Sequence, residues 1–329
     1  PEAVLVGYEL SRLLMKVGIP KGVFQFVPCD ETPVGDAFIR DHRIKQVMLT
    51  GGTSTARYFL KERPGLDLIA ETGGKNTMII GRCIDQESAV KDLIKSAFGF
   101  GGQKCSATSL LIISNPHIKK SFQALLKSSI LSLKVGSVWD SETDIGPLIQ
   151  EPELSLKHEM TQLGSSEDWL VRPKQDPVNK RLVTPGVKLG VSASSNSYNT
   201  ELFGPILGII EANDLAEAVS IGNGTEYGLT AGFHSLDIEE QRYWCKTMQA
   251  GNYYINRSMT GAVVGREPFG GLKNSHFGTG FKAGGAHFLY SLNHITCNKE
   301  KLAPPDPSVA LPHSVQVFIK SVSSWDSAI

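Results

Sequence analysis

Apolar and polar positions along the chain follow two alternating periods. AVLVGYELSRLLMKVG, residues 3–18, carries apolar side chains at helical spacing and is stopped by Gly18 and Pro20. FQFVP then predicts a short strand, IKQVMLT (residues 44–50) a second strand, GGT a turn and STARYFLKE a helix. LDLIAE and NTMIIG predict two further strands, and ESAVKDLIKSAF a helix. Strands separated by helices imply a parallel, doubly wound sheet, because parallel neighbours need a crossover between them. The fold class read from the pattern is α/β. Residues 164–200 are polar, with Pro and Ser, and predict surface connections with short strands; after Asn298 the stretch KEKLAPPDPSVALP predicts extended chain. No internal repeat interrupts this order.

Composition narrows the function classes. A chain of 329 residues with 41% hydrophobic content suits about two domains. Its 33 basic and 33 acidic side chains balance, and no Lys or Arg block stands out, so neither nucleic acid nor an anionic membrane is an expected partner. No apolar run reaches the ~18 residues of a membrane helix, and no signal-peptide pattern is present. The cytoplasm is the default expectation, with the mitochondrial matrix as the alternative. Because it opens on Pro1 rather than Met, the chain reads as a fragment. The five cysteines (Cys29, Cys83, Cys105, Cys245, Cys297) are scattered without a CxxC pair, and the histidines form no HExxH, so no metal is expected.

Three stretches carry candidate chemistry. Neither GxGxxG nor a P-loop occurs, and GTSTA misses the nucleophile elbow GxSxG at Ala56. TGGTST, Thr50 to Thr55, follows a strand and opens a helix; it is either an ordinary turn or a phosphate site built from helix-start N–H groups. In IAETGGKN, Glu71 ends an apolar strand, where it is either a solvated loop carboxylate or a half-buried general base. In AFGFGGQKCSA, Cys105 lies between a glycine run and small residues, with Lys104 beside it; it is either a packed thiol or a nucleophile. Local chemistry leaves all three open.

Their order along the chain carries more information. GGQKCSA, with ETGGKN before it, ELFGPILGI at 201–209 and PFGG at 268–271, resembles the aldehyde dehydrogenase superfamily. The TGGT turn, DIGPLI (144–149), YGLTAGF (227–233) and AGNYYIN (250–256) agree, so the resemblance runs from residue 1 to about residue 295. SAFGFGGQKCSA, NRSMTGAVVGREPFGG and FKAGGAHFLYSL resemble the branch that oxidises glutamate semialdehyde.

The resemblance implies an aldehyde-dehydrogenase-like fold. It would contain part of a Rossmann-like NAD domain (1–73), a second doubly wound α/β catalytic domain (74–271), and a return segment with oligomer contact and tail (272–329). It implies Cys105 as the nucleophile that forms a thioester and Glu71 as the base that activates water, with NAD as cofactor. Gly51, Gly52, Thr53, Ser54 and Thr55 would meet the pyrophosphate, and Glu201 the nicotinamide ribose. Phe203 would pack on the cofactor, core packing being its plain alternative. Ser106 and the N–H groups of Gly261 and Ala262 would hold the substrate carboxylate, with Phe269 along its aliphatic part. Gly52 and Ala262 stand where family members carry serine, so each position loses a hydroxyl. Arg257 and Arg266 read as solvated loop residues.

The partners implied are a small-molecule substrate and further copies of the chain, as a dimer or larger assembly. The family's asparagine donor to the oxyanion precedes this chain's first residue. Its loss predicts a rate lower by ~10² to 10³, together with a bare sheet edge and exposed apolar surface near the start. Two alternatives stay beside this reading: oxidation of another semialdehyde, such as succinate semialdehyde, and a truncated, non-catalytic relative.

Overall fold

The first helix forms where the apolar spacing places it, α1 at Val4–Lys16, with Gly18 beyond it in the left-handed region at φ 102°. The structure, a computed structural model, describes residues 2–292. Of the α1 side chains only Ser11 is buried; Leu5, Val6, Leu10 and Leu13 are exposed. Residues 24–28 are irregular, which corrects the short strand expected at FQFVP. An extended segment becomes a strand only by pairing, and none of the described strands pairs with it.

Next come α2 (Asp36–Arg40), β1 (Gln46–Thr50), α3 (Thr53–Glu62) and β2 (Asp67–Glu71). β1 and β2 are parallel, with Thr50 opposite Glu71. Among the described residues β1 is an edge strand, and Met48 on it is 56% exposed.

The chain continues through β3 (Asn76–Ile80), α4 (Gln86–Phe98), β4 (Thr108–Ile113), α5 (Lys119–Leu131), α6 (Leu154–Thr161), β5 (Asp168–Val171), β6 (Gly186–Leu189) and α7 (Asn196–Asn199). Then follow β7 (Ile206–Glu211), α8 (Leu215–Asn223), β8 (Tyr227–Gly228), β9 (Thr230–His234), α9 (Ile238–Thr247) and β10 (Asn252–Ile255). Seven of these strands form one sheet in the order β10-β9-β3-β4-β7-β6-β5, parallel except for the β5–β6 pair.

Alternate residues of each strand serve opposite faces of this sheet. Met78, Ile80, Leu111 and Ile113 pack with Phe98 of α4 and Phe122 and Leu126 of α5. Ile79, Leu110 and Ile112 pack with Val219 of α8 and Trp244 of α9, which stacks on Phe233 with ring centroids 5.4 Å apart. Burial on both faces is why NTMII and TSLLII read as continuous apolar runs rather than alternating ones. Asp85 starts α4 by accepting hydrogen bonds from the N–H groups of Glu87 and Ser88.

Residues 164–200 hold β5, β6 and α7 and are not confined to the surface. Lys188 of β6 is 1% exposed and donates to Glu159 at 2.6 Å and to Glu167 at 3.1 Å. Finally β11 (Leu272–Lys273) pairs with β8, and β12 (His276–Phe277) returns to β2, antiparallel, with His276 opposite Glu71. The proline-rich stretch after Asn298, Cys297 and the tail part of 272–329 lie outside the described residues.

Candidate active site

The nucleophile candidate lies on a turn of unusual backbone. After α4, three consecutive residues, Phe100, Gly101 and Gly102, take the left-handed conformation at φ 58°, 63° and 72°. A Cβ on Gly102 would collide with the carbonyl of Gly204, so glycine is required there. Asn76, the first residue of β3, then fixes the turn. Its Nδ2 donates to the carbonyls of Cys105 at 2.6 Å and Ala107 at 2.9 Å, and its Oδ1 accepts the Thr230 N–H at 3.0 Å. The Thr230 hydroxyl, from the first residue of β9, donates to the Ser106 carbonyl at 3.2 Å.

Glu71 approaches from the other sheet, as the last residue of β2. Cys105 Sγ donates to Glu71 Oε1 at 3.9 Å. Burial pushes the Glu71 carboxyl up to about 7, against the opposing hydrogen bond from the thiol. Burial, followed by the Glu71 charge, pushes the Cys105 thiol up to about 11, while the backbone N–H groups of Ser106 and Cys105 act the other way. At neutral pH the resting thiol is therefore protonated, with a partly ionised carboxylate in place to receive its proton.

β12 and the residues around it hold the base. The Thr72 hydroxyl donates to the Asn274 carbonyl at 2.5 Å, and the same carbonyl accepts the Thr53 hydroxyl at 3.2 Å. Ser275, fully buried, donates to the Gly73 carbonyl at 2.7 Å and accepts the Gly228 N–H at 3.1 Å. One short segment thus ties the end of β2 to the start of α3.

Gly52 precedes α3 and caps it with no side chain, and the Thr55 N–H turns back to the Gly52 carbonyl at 3.1 Å. Opposite, the Gly74 N–H donates to Glu201 Oε1 at 2.9 Å, and a Cβ on Gly73 would overlap the Glu201 carboxylate. Burial pushes the Glu201 carboxyl up, with the Gly74 N–H and the Lys75 charge pulling it down. Phe203 adopts φ 48° and is 51% exposed, so core packing is not its role.

A cleft of about 1010 Å³ gathers the predicted residues Gly51, Gly52, Ser54, Glu71, Cys105, Ser106, Glu201, Phe203, Gly261, Ala262 and Phe269. Thr53 and Thr55 are absent from its lining, and the Thr53 hydroxyl is spent on Asn274. Phe269 is held by its N–H to the Ala283 carbonyl at 2.9 Å. Arg257 is engaged by Glu267 at 2.8 Å and lies over the Tyr254 ring, and neither it nor Arg266 lines the cleft.

Several working residues escaped the sequence reading: Asn76, Thr72, Asn274, Ser275, and Gln103, whose Oε1 accepts the Ile149 N–H at 2.9 Å and so fixes the far wall. The one local signal was Asn76, a polar residue heading an apolar strand. Among the described residues no group of His, Cys, Asp and Glu could hold a metal ion, and no helix is long and apolar enough to cross a membrane.

Comparison with known proteins places the whole described chain. The model of the aldehyde dehydrogenase family matches residues 1–296. A 1-pyrroline-5-carboxylate dehydrogenase of Staphylococcus saprophyticus is 33% identical over 296 residues, covering 87% of this chain and 56% of its own. Proline utilization A from Corynebacterium freiburgense superposes with a TM-score of 0.83 at 38% identity, covering 92% of this chain and 31% of its own. A 1-pyrroline-5-carboxylate dehydrogenase from Thermus with bound NAD gives a TM-score of 0.78 at 30% identity, over 84% of this chain and 55% of its own. The chain spans about half the length of the curated relatives it matches.

Proposed function

This chain belongs to the aldehyde dehydrogenase family, and on that premise we propose that it serves the NAD-dependent oxidation of L-glutamate 5-semialdehyde to L-glutamate. The observation that carries the proposal is the Cys105 thiol 3.9 Å from the Glu71 carboxylate inside a cleft with a helix start on one side and Glu201 on the other. The named relatives that act on pyrroline-5-carboxylate support the choice of substrate.

The residues present fit NAD. The uncapped start of α3 suits a pyrophosphate, Glu201 offers an acceptor for ribose hydroxyls, and the exposed ring of Phe203 offers a flat apolar contact. NAD, when bound, supplies the acceptor for the hydride that leaves the substrate carbon. Every other step belongs to the chain itself. Glu71 takes the Cys105 proton and releases it to solvent, and the thiolate adds to the aldehyde carbon as the carbonyl electron pair moves to oxygen, giving the anion of a thiohemiacetal. Once oxidation has left a thioester, Glu71 takes a proton from the water that attacks it, the C–S bond breaks, and the thiol regains a proton as the carboxylate leaves. The Ser106 hydroxyl and the N–H groups of Gly261 and Ala262 would hold the α-carboxylate, with Phe269 along the chain of methylenes. Residues 1–73 would form part of a cofactor domain and 74–271 the catalytic domain, in a homo-oligomer.

The test is kcat/KM with NAD across a panel of glutamate, succinate and simple aliphatic semialdehydes, in the wild type and in Cys105→Ala. We expect glutamate semialdehyde to be preferred and Cys105→Ala to abolish turnover. Equal kcat/KM across the panel would refute the glutamate pocket, and persisting turnover in Cys105→Ala would refute the nucleophile.

A further inference from the structure

Behind the cofactor wall lies a buried charge that the mechanism does not use. Lys75 is 2% exposed, and taking an ammonium out of water is costly unless the protein holds it for a reason. Its Nζ donates to the Thr200 carbonyl at 3.0 Å, while the N–H of its neighbour Gly74 donates to the Glu201 carboxylate at 2.9 Å. Two consecutive residues ahead of β3 therefore grip two consecutive residues after α7, one by its carbonyl and the other by its carboxylate.

We propose that Lys75 is a positioning residue for the cofactor site: by holding the Thr200 carbonyl it fixes the Thr200–Glu201 segment, so that the Glu201 carboxylate stays seated against the Gly73–Gly74 turn. This rests on the NAD reading given above. The charged groups acting on Lys75 agree. Burial pushes its ammonium down to about 8, Glu201 and then Glu159 pull it up, and Lys188 pushes it down. Lys188 is itself held by Glu159 and Glu167, so its charge is already answered. Gly73 completes the arrangement by having no side chain where the carboxylate rests.

The experiment is calorimetric titration of NAD into the wild type, Lys75→Met, Lys75→Arg, Glu201→Gln and the double variant Lys75→Met/Glu201→Gln, with Tm measured for each. Loss of a charge-assisted contact predicts a Kd about tenfold higher for Lys75→Met. Lys75→Arg should recover most of that loss. The double variant should bind no worse than Glu201→Gln alone, because both changes remove one interaction. If Lys75→Met binds like the wild type while Glu201→Gln is weakened, the inference fails and the NAD reading stands. Additive losses in the double variant also overturn it, since Lys75 would then act apart from Glu201. If Glu201→Gln binds like the wild type, the assignment of Glu201 fails, and the inference with it; a wild type that binds no NAD overturns the whole reading. Should Lys75→Met fail to fold, Lys75→Gln takes its place in the same titrations.

Discussion

The two sheets that meet at the cleft are built to different standards. In the seven-stranded sheet, β3 and β9 are buried at every position, with helices on both faces. In the smaller sheet, β1 has a single neighbour among the described residues and no fully buried residue. They also face the site with opposite ends. β2 delivers Glu71 at its carboxyl end, where open α/β sheets usually bind ligands, whereas β3 and β9 present their amino ends, and the Cys105 turn leads into the amino end of β4. The Cys105 turn is therefore pinned by strands of the well-packed large sheet, and the end of β2, with Glu71, by the clasp of residues 272–277.

Four substitutions test this contrast, beginning with the pair that differs most. Ile112→Ala, in the large sheet, should cost about 2–5 kcal/mol in urea unfolding, whereas Met48→Ala on the edge of the small sheet should stay within about 0.5 kcal/mol. Equal costs would erase the difference between the sheets. Thr72→Val removes a clasp hydrogen bond and should cost about 1 kcal/mol. Its more telling effect should be faster alkylation of Cys105 at neutral pH, as the Glu71 charge that raises the thiol pKa loses its fixed position; an unchanged rate would show that the clasp does not govern the pair.

Glu71→Gln should have a small effect on stability, and it depends on pH. The Glu71 pKa in the fold, about 7, lies above its ordinary value of 4.5, so the fold favours the neutral form. Stability contributed by that form is complete below pH 4.5 and is lost as pH rises through 7. Glu71→Gln should therefore melt at the wild-type temperature at pH 4 and about 1–2 °C higher at pH 8, a small effect because the carboxylate is partly solvated. A lower Tm at pH 8 would contradict the raised pKa.

The fold was legible where burial is two-sided, because NTMII and TSLLII need no partner to be recognised as buried strands. It was illegible where structure depends on a distant neighbour. FQFVP has strand-like residues and finds no ladder, and Lys188 looks like a surface lysine until two glutamates enclose it. The site divides in the same way. Cys105 and Glu71 each carried a bland alternative, and what the sequence alone did not show is that they line a common cleft. Asn76 and Ser275 carry no chemistry of their own; they matter because Thr230 and Gly73, remote in sequence, complete their hydrogen bonds.

Gly73 has a practical consequence. The atoms that a Cβ there would strike belong to the end of the Glu201 side chain, a group that can swing away without disturbing the backbone. Gly73→Ala would thus act as a one-carbon plug, leaving the chain folded while evicting a single acceptor from its seat. Such a protein would be a matched blank for screening cofactor analogues, because any ligand that still binds it does not need Glu201.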